Sequence, residues 1–245
     1  MRLINVETLC LETVYSPEYP YVVLSHTWGR DEDELTFQEM LNLEGNMSGT
    51  TMTRASKIVR CCAQAKMDGY KYVWIDTCCI DKSNSVELYE AINSMYRWYD
   101  GAAMCYAYIA DMAPGDPVNK LATCRWFERG WTLQELLASK IINFFDSNWN
   151  CLGSKRSLSS ILESATGIPA PFLAGVASVL NEASIAQRMS WASNRQTTRP
   201  EDGAYCLLGI FDVMIPLIYG EGAEAAFLRL QEAIMKKDSD DSILS

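Results

Sequence analysis

Along the first 150 positions, short unbroken apolar runs alternate with longer stretches in which apolar residues recur every three or four. "YPYVVLSHTWG" (19–29) is rich in β-branched and aromatic residues and ends in Ser, His, Thr and Gly, which predicts a buried strand running into a loop. "RDEDELTFQEM" is acidic and reads as a loop with a short helix. Residues 53–70 carry Ile58, Cys61, Cys62 and Ala65 at helical spacing, with Thr53 placed to cap the helix and Gly69 to end it. "KYVWIDTCCID" (71–81) predicts a second buried strand closed by acids. Residues 85–102 form a second helical pattern, with Leu88, Ile92, Met95 and Tyr99 on one face as core. "AMCYAYIAD" (103–111) predicts a third strand, followed by the loop "MAPGDPVNK". "ERGWTLQELLASKIINFF" (128–145) then predicts a helix and a fourth buried strand, "KIINFF". In that helix Leu133, Leu136 and Leu137 point to the core, while Trp131 and Glu135, four apart, share a face directed at a cleft.

Strands that read as continuous apolar runs between helices indicate an α/β fold, a parallel sheet covered on both faces. Such open sheets bind ligands beyond the carboxyl ends of their strands. The residues at those ends are Ser25, His26, Thr27 and Trp28, then Asp76, Thr77 and Asp81, then Asp111. The second part has a different texture. It reads as a short helix and a Pro-broken loop, a helical stretch over "SVLNEASIAQRMSWAS", and a helix opening near Pro200 with Glu201 and Asp202 in its first turn. A final helix places Phe227, Leu230 and Ile234 on one face, and "KDSDDSILS" is a polar, frayed end. Residues 1–150 are therefore taken as the α/β core and 151–245 as a mainly helical C-terminal extension of the same domain.

Composition narrows the function. Apolar residues make up 49% and charged residues 21% of 245 positions, an ordinary globular balance. A net charge of -10 argues against nucleic acid as a partner. No apolar run approaches a membrane span, and "MRLINVETLC" lacks the apolar centre of a secretory signal. Nine cysteines, an odd count, with adjacent pairs inside apolar segments, predict packing thiols in a reducing, cytoplasmic compartment. A single histidine and no paired CxxC spacing predict no metal site.

"YVVLSHTWG", "YVWIDTCCIDK" and "RGWTLQELLA", with the later "SWASNRQTTRPEDGAYCLLGIFDVMIPLIYGEG" and "AFLRLQEAI", resemble the fungal heterokaryon incompatibility (HET) domain over nearly the whole chain. That resemblance implies an effector that triggers programmed cell death when incompatible cells fuse, often joined to a NACHT-type sensor. HET domains are in turn distantly similar to Toll/interleukin-1 receptor (TIR) domains, which implies a flavodoxin-like sheet. "WTLQEL" is similar to the TIR pattern of Trp, three residues, Glu and an apolar residue, whose glutamate cleaves NAD. By that kinship Glu135 would be catalytic, with NAD as substrate rather than a permanently bound cofactor and self-association as the trigger. His26, Trp28 and the Cys78–Cys79 pair depart from the TIR pattern, and the second half has no simple TIR counterpart.

Cleaving the nicotinamide–ribose bond expels a neutral leaving group, so one carboxylate facing the developing oxocarbenium charge is enough. On this reading Ser25, His26, Thr27, Trp28, Asp76 and Asp81 surround the ribose and phosphates, Arg129 pairs with the pyrophosphate, and Trp131 stacks on a ring or walls off water. The plainer readings are a solvated or capping Glu135, a core Trp131, a structural His26, and Asp76 and Asp81 as loop caps. Arg199, Glu201 and Asp202 read as an ion-pair network joining the helical part to the sheet. The alternative function is a non-catalytic death-signalling module that acts by binding partners.

Overall fold

The computed structural model describes residues 1–15, 19–43 and 50–237. A hairpin of β1 (Arg2–Asn5) and β2 (Leu11–Thr13) precedes β3 (Tyr21–His26), in which every residue is buried. Helices α1 (Phe37–Leu43) and α2 (Thr50–Met67) lead to β4 (Tyr72–Trp74), the single turn α3 (Asp76–Cys79) and α4 (Ser85–Asp100). Asn84 caps α4 by accepting hydrogen bonds from the amides of Val86 and Glu87 at 3.1 and 3.3 Å, leaving Ile92, Met95 and Tyr99 buried. Next come β5 (Met104–Tyr108), α5 (Trp131–Ala138), β6 (Ile142–Phe145) and β7 (Cys151–Ser154). Short helices follow: α6 (Ser159–Thr166), α7 (Ala177–Leu180), α8 (Ile185–Ala192), α9 (Asp202–Tyr205) and α10 (Leu208–Phe211), and then the longer α11 (Ala223–Lys237).

Among the described residues, seven strands make one sheet in the order β2-β1-β4-β3-β5-β6-β7. The four central strands are parallel, with β3 between β4 and β5 and β6 beyond. Numbered along the chain, that is a 2-1-3-4 order, the flavodoxin-like arrangement, in which the chain reverses its winding direction between β3 and β5. The sheet is mixed at both edges, because β1 and β7 pair antiparallel with their neighbours. The strand β7 carries the sheet past residue 150, and the helical part begins after Ser154.

Several expectations need correction. β1, β2 and β7 have three or four residues each, too few for a readable alternation. The strand expected over 71–81 ends at Trp74, because the apolar run continues into a helical turn that buries Cys78 and Cys79. An apolar run alone does not separate strand from buried helix. The helix expected to start near Thr53 begins three residues earlier, so Thr53 lies within it rather than at its cap. Helix α5 starts only at Trp131, after two 3₁₀ turns at Val118–Thr123 and Arg125–Phe127. In "KIINFF", Ile141 is 51% exposed and the strand starts at Ile142. On α11 the buried stripe is Ala226, Leu230 and Ile234, one residue every helical turn. Phe227 falls about 100° around from it and is 37% exposed. Of the expected frayed end, 237–245, Lys237 still belongs to α11 and residues 238–245 lie outside the described residues.

Leu133 and Leu136 are fully buried and Leu137 nearly so, which fixes α5 on the sheet as expected. α10 packs on α4 at a closeness only glycine permits. A Cβ on Gly209 would lie 2.2 Å from the Cβ of Tyr96. Gly209→Ala is expected to destabilise the protein by roughly 1–3 kcal/mol through overpacking, read as a lower urea midpoint. An unchanged midpoint would mean that α10 does not sit on α4 this closely.

Candidate functional site

Ser25 and His26 are consecutive at the carboxyl end of β3, so their side chains leave opposite faces of the sheet. Each anchors its own buried chain of polar contacts.

On one face, the Ser25 hydroxyl donates to the Glu135 carboxylate of α5 and accepts from Trp126 Nε1–H at 2.8 Å. Glu135 is 6% exposed and Ser25 and Trp126 are fully buried. Burial pushes the Glu135 pKa up to about 7; Ser25 and Arg129 pull it down, and the charge of Asp76 adds to the rise. The helix carrying this acid is pinned at its C-terminal end by Lys155, whose ammonium donates to the carbonyls of Leu136 and Ser139 at 2.6 and 2.8 Å.

On the other face, His26 Nδ1 faces the ammonium of Lys57 from α2 at 2.8 Å, and Nε2 faces Asp76 Oδ1 at 3.1 Å. An ammonium only donates, so Nδ1 is the acceptor and the ring proton sits on Nε2, directed at Asp76. Burial and the Lys57 charge depress the His26 pKa and keep the ring neutral. Lys57 also pairs with Glu34. Asp76 takes a second hydrogen bond from Trp28 Nε1–H at 2.9 Å. Burial alone would raise the Asp76 pKa, but Lys82, the His26 hydrogen bond and Arg129 outweigh it and hold the carboxyl well below the usual range. The result is one continuous chain, Glu34–Lys57–His26–Asp76–Trp28.

A cleft of about 640 Å³ opens beside these chains, within the size range of ligand sites. Its walls include Thr27 and Trp28 after β3, Arg125, Arg129 and Trp131 between β5 and α5, and Arg199, Asp202 and Tyr219 from the helical part. It therefore sits where the sheet reverses its winding. Of the residues read from the sequence as substrate-binding or catalytic, Thr27, Trp28, Arg129 and Trp131 line the cleft. Glu135, Ser25, His26 and Asp76 do not line it; they form the layer of polar contacts behind its wall. Trp131, one helical turn from Glu135, binds Asp202 Oδ2 through its indole N–H at 3.2 Å. Asp81 stands apart, accepting from the amide and hydroxyl of Ser83 at 3.1 and 2.6 Å as a loop acid, beside a second cavity of about 430 Å³. Asp111 accepts from the amide of Arg125 at 2.8 Å. Sequence reasoning did not single out Trp126, Lys57, Lys82 or Arg125 for the site. Trp126 and Arg125 lie in a single 3₁₀ turn too short for a periodicity to read, while Lys57 sits on the polar side of an ordinary amphipathic helix.

The helical part is tied to this wall. Gly130 N–H donates to Gln196 O at 2.8 Å, and Gln196 N–H to Glu128 O at 2.6 Å. Arg195 donates to Arg129 O and Thr132 Oγ1 at 2.9 and 3.0 Å. Glu201 accepts from the amides of Gly220 and Gly222 at 2.9 and 3.0 Å, fixing the turn that carries Tyr219. Arg199, Glu201 and Asp202 thus serve the junction through hydrogen bonds and ring contacts, and none of the three forms an ion pair among the described residues.

The family profile for "Heterokaryon incompatibility protein (HET)" matches residues 21–117. The vegetative incompatibility protein HET-E-1 of Podospora anserina is 49% identical over 229 residues, 89% of this chain. The chain carries a heterokaryon incompatibility domain. It spans 16% of the length of that relative, and no solved structure matches it. The matched segment of the HET domain contains Ser25, His26, Trp28 and Asp76, while Arg129, Trp131 and Glu135 lie beyond it. An alignment taking in 89% of 245 residues necessarily includes α5. Among the described residues no helix is long and apolar enough to cross a membrane, and no three acids, cysteines or histidine are grouped to hold a metal. Burial pushes the Cys62 thiol up to about 12 and raises Cys61, while the Cys79 hydrogen bond and then burial raise Cys78.

An acid whose pKa rises on folding binds its proton more tightly in the folded state. Stability from Glu135 is thus fully present below its ordinary 4.5 and is lost as pH rises toward about 7. Glu135→Gln should therefore gain stability relative to the native HET domain between pH 5 and pH 8, by an amount of order 3 kcal/mol. Urea titrations of both proteins at the two pH values measure it, and a difference independent of pH would mean that Glu135 titrates normally.

Proposed function

We propose that this HET domain is a cell-death effector of heterokaryon incompatibility that hydrolyses NAD to nicotinamide and ADP-ribose in the cytoplasm when it self-associates, downstream of a NACHT-type sensor. One observation supports the reading above the others. A buried carboxyl group with a pKa near 7 stands behind a ligand-sized cleft at the point where the parallel sheet reverses its winding. Perturbed acids in such positions are candidate catalytic groups.

On this reading, ligand entry past Trp131 brings the ribose to Glu135, and assembly favours that open arrangement. The ionised carboxylate faces the oxocarbenium charge as nicotinamide leaves, and Ser25, itself held by Trp126, keeps the carboxylate oriented. His26 and Asp76 act by fixing Trp28 at the cleft wall rather than by touching the reacting bond.

A second reading is favoured by a different observation. Glu135 is already satisfied by Ser25 and does not line the cleft, as a purely structural acid would be in a module that kills by binding partners. Concentrated protein incubated with NAD and assayed chromatographically for nicotinamide separates the two. NAD cleavage predicts release that Glu135→Gln lowers by at least 10²-fold with the far-UV spectrum unchanged. Absence of release from clustered native protein would reject it. Because the carboxylate is the working form, the rate should rise with pH around a midpoint near 7. The Ser25 hydrogen bond lowers the Glu135 pKa, so Ser25→Ala should move that midpoint upward. A midpoint that stays in place would remove Ser25 from the mechanism.

A further inference from the structure

The chain is acidic overall, at a net charge of -10, yet four cations converge on the cleft: Lys82, Arg125, Arg129 and Arg199. Elsewhere, basic side chains such as Arg2, Arg54, Lys57, Lys120 and Arg229 are matched to carboxylates. None of the four in the cleft makes an ion pair among the described residues. Three are held over aromatic rings instead. Lys82 Nζ lies 3.7 Å and Arg129 Cζ 4.7 Å from the ring centre of Trp28, and Arg199 Cζ lies 4.3 Å from that of Tyr219. A ring face positions a cation without neutralising it, so the charge stays available. The four cations outnumber the carboxylates set against them, Asp202 and Glu128 in the cleft and Asp76 behind its wall. Asp202 is taken up by Trp131 Nε1–H and Tyr219 O–H at 3.2 and 3.0 Å, and Glu128 is exposed at the rim.

We propose that this cleft binds the diphosphate of a nucleotide, with Arg199 from the helical part completing a set that Lys82, Arg125 and Arg129 supply from the sheet side. Guanidinium forks match phosphate oxygens in pairs, and a lysine adds a compact point charge beside them. The assignment gives the helical part a binding role. Its Arg199 reaches the cleft because the 195–196 segment is tied to the 128–132 segment. It rests on the reading of the cleft as the dinucleotide site and names which part of the ligand these residues take.

Calorimetry on the full chain tests it with three ligands: ADP-ribose, inorganic pyrophosphate and nicotinamide riboside, which has no diphosphate. ADP-ribose should bind with an affinity that falls as salt rises. Arg199→Gln should weaken it about tenfold, as expected for one charged hydrogen-bonding partner, and Arg199→Lys should recover part of the loss. Nicotinamide riboside should be indifferent to both substitutions. Tighter binding of ADP-ribose than of pyrophosphate assigns a nucleotide diphosphate, and equal binding assigns free polyphosphate; both place the diphosphate here. ADP-ribose affinity unchanged in Arg199→Gln and in Arg129→Gln overturns the proposal. The outcome is separable from catalysis. Arg199-dependent ADP-ribose binding with no nicotinamide release removes the NAD-cleavage reading and leaves the diphosphate site standing. NAD cleavage with a KM untouched by Arg199→Gln does the reverse.

Discussion

The hydrogen bond from Ser25 to Glu135 is the contact on which the buried acid beside the cleft depends. A carboxyl group that is 6% exposed has almost no water to solvate it, so its protein partners set both its charge and its orientation. Ser25 is its hydroxyl donor, Trp126 fixes Ser25, and Lys155 and the leucines of α5 fix the helix. The partners are matched well enough to hold the acid in place but not to make it a comfortable anion, which is why its pKa settles near 7. A packing role alone would be served better by an amide or an apolar residue of similar volume. Packing alone therefore does not account for an acid at this position.

The alternation of side chains along β3 explains how two such networks coexist. Ser25 and His26 are neighbours in the chain, yet one chain of contacts runs to α5 and the other to α2 and α3. The networks are kept at different charge states. His26 is held neutral by burial and by the Lys57 ammonium, while Asp76 is held ionised by Lys82, His26 and Arg129. The fixed charge of Asp76 adds to the rise that burial gives the Glu135 pKa. Trp28 joins the second network to the cleft, since its indole N–H is committed to Asp76 while its ring carries Lys82 and Arg129.

Much of the parallel core was legible because its strands are uniformly apolar and its longer helices have a clear 3.6-residue period. β3, β5, α4 and the buried leucines of α5 follow from pattern alone. The edge strands were not legible, because three or four residues paired on one side carry too little burial to leave a pattern. The turn at Asp76–Cys79 was hidden by an apolar run compatible with either structure. In the site, the carboxyl ends of the strands pointed to Ser25, His26, Trp28 and Asp76, but their assignment to one shared pocket ignored the pleat. Lys57, Trp126 and Arg199 come from a helix, a short 3₁₀ turn and a distant loop, and only tertiary structure brings them to β3 and its cleft.

The helical part after Ser154 also changes what the sheet edge is. In an open α/β sheet the crevice beyond the strands is bounded by the loops of the sheet itself. Here Gln196 extends the chain segment at Arg129 as if adding a bridge to it, Arg195 crosses to Arg129 and Thr132, and Glu201 locks the turn that presents Tyr219. These contacts use backbone groups that would otherwise face water, so the junction is specific in register rather than a loose apolar apposition. A cleft wall contributed by two parts of the chain responds to anything that moves one against the other. Arg129 sits at that boundary, with its carbonyl held by Arg195 and its guanidinium over Trp28, and its charge helps set the pKa of both Asp76 and Glu135. Displacing it would change the electrostatics of both buried networks at once, so the position of the helical part and the charge state of the acid are coupled through Arg129.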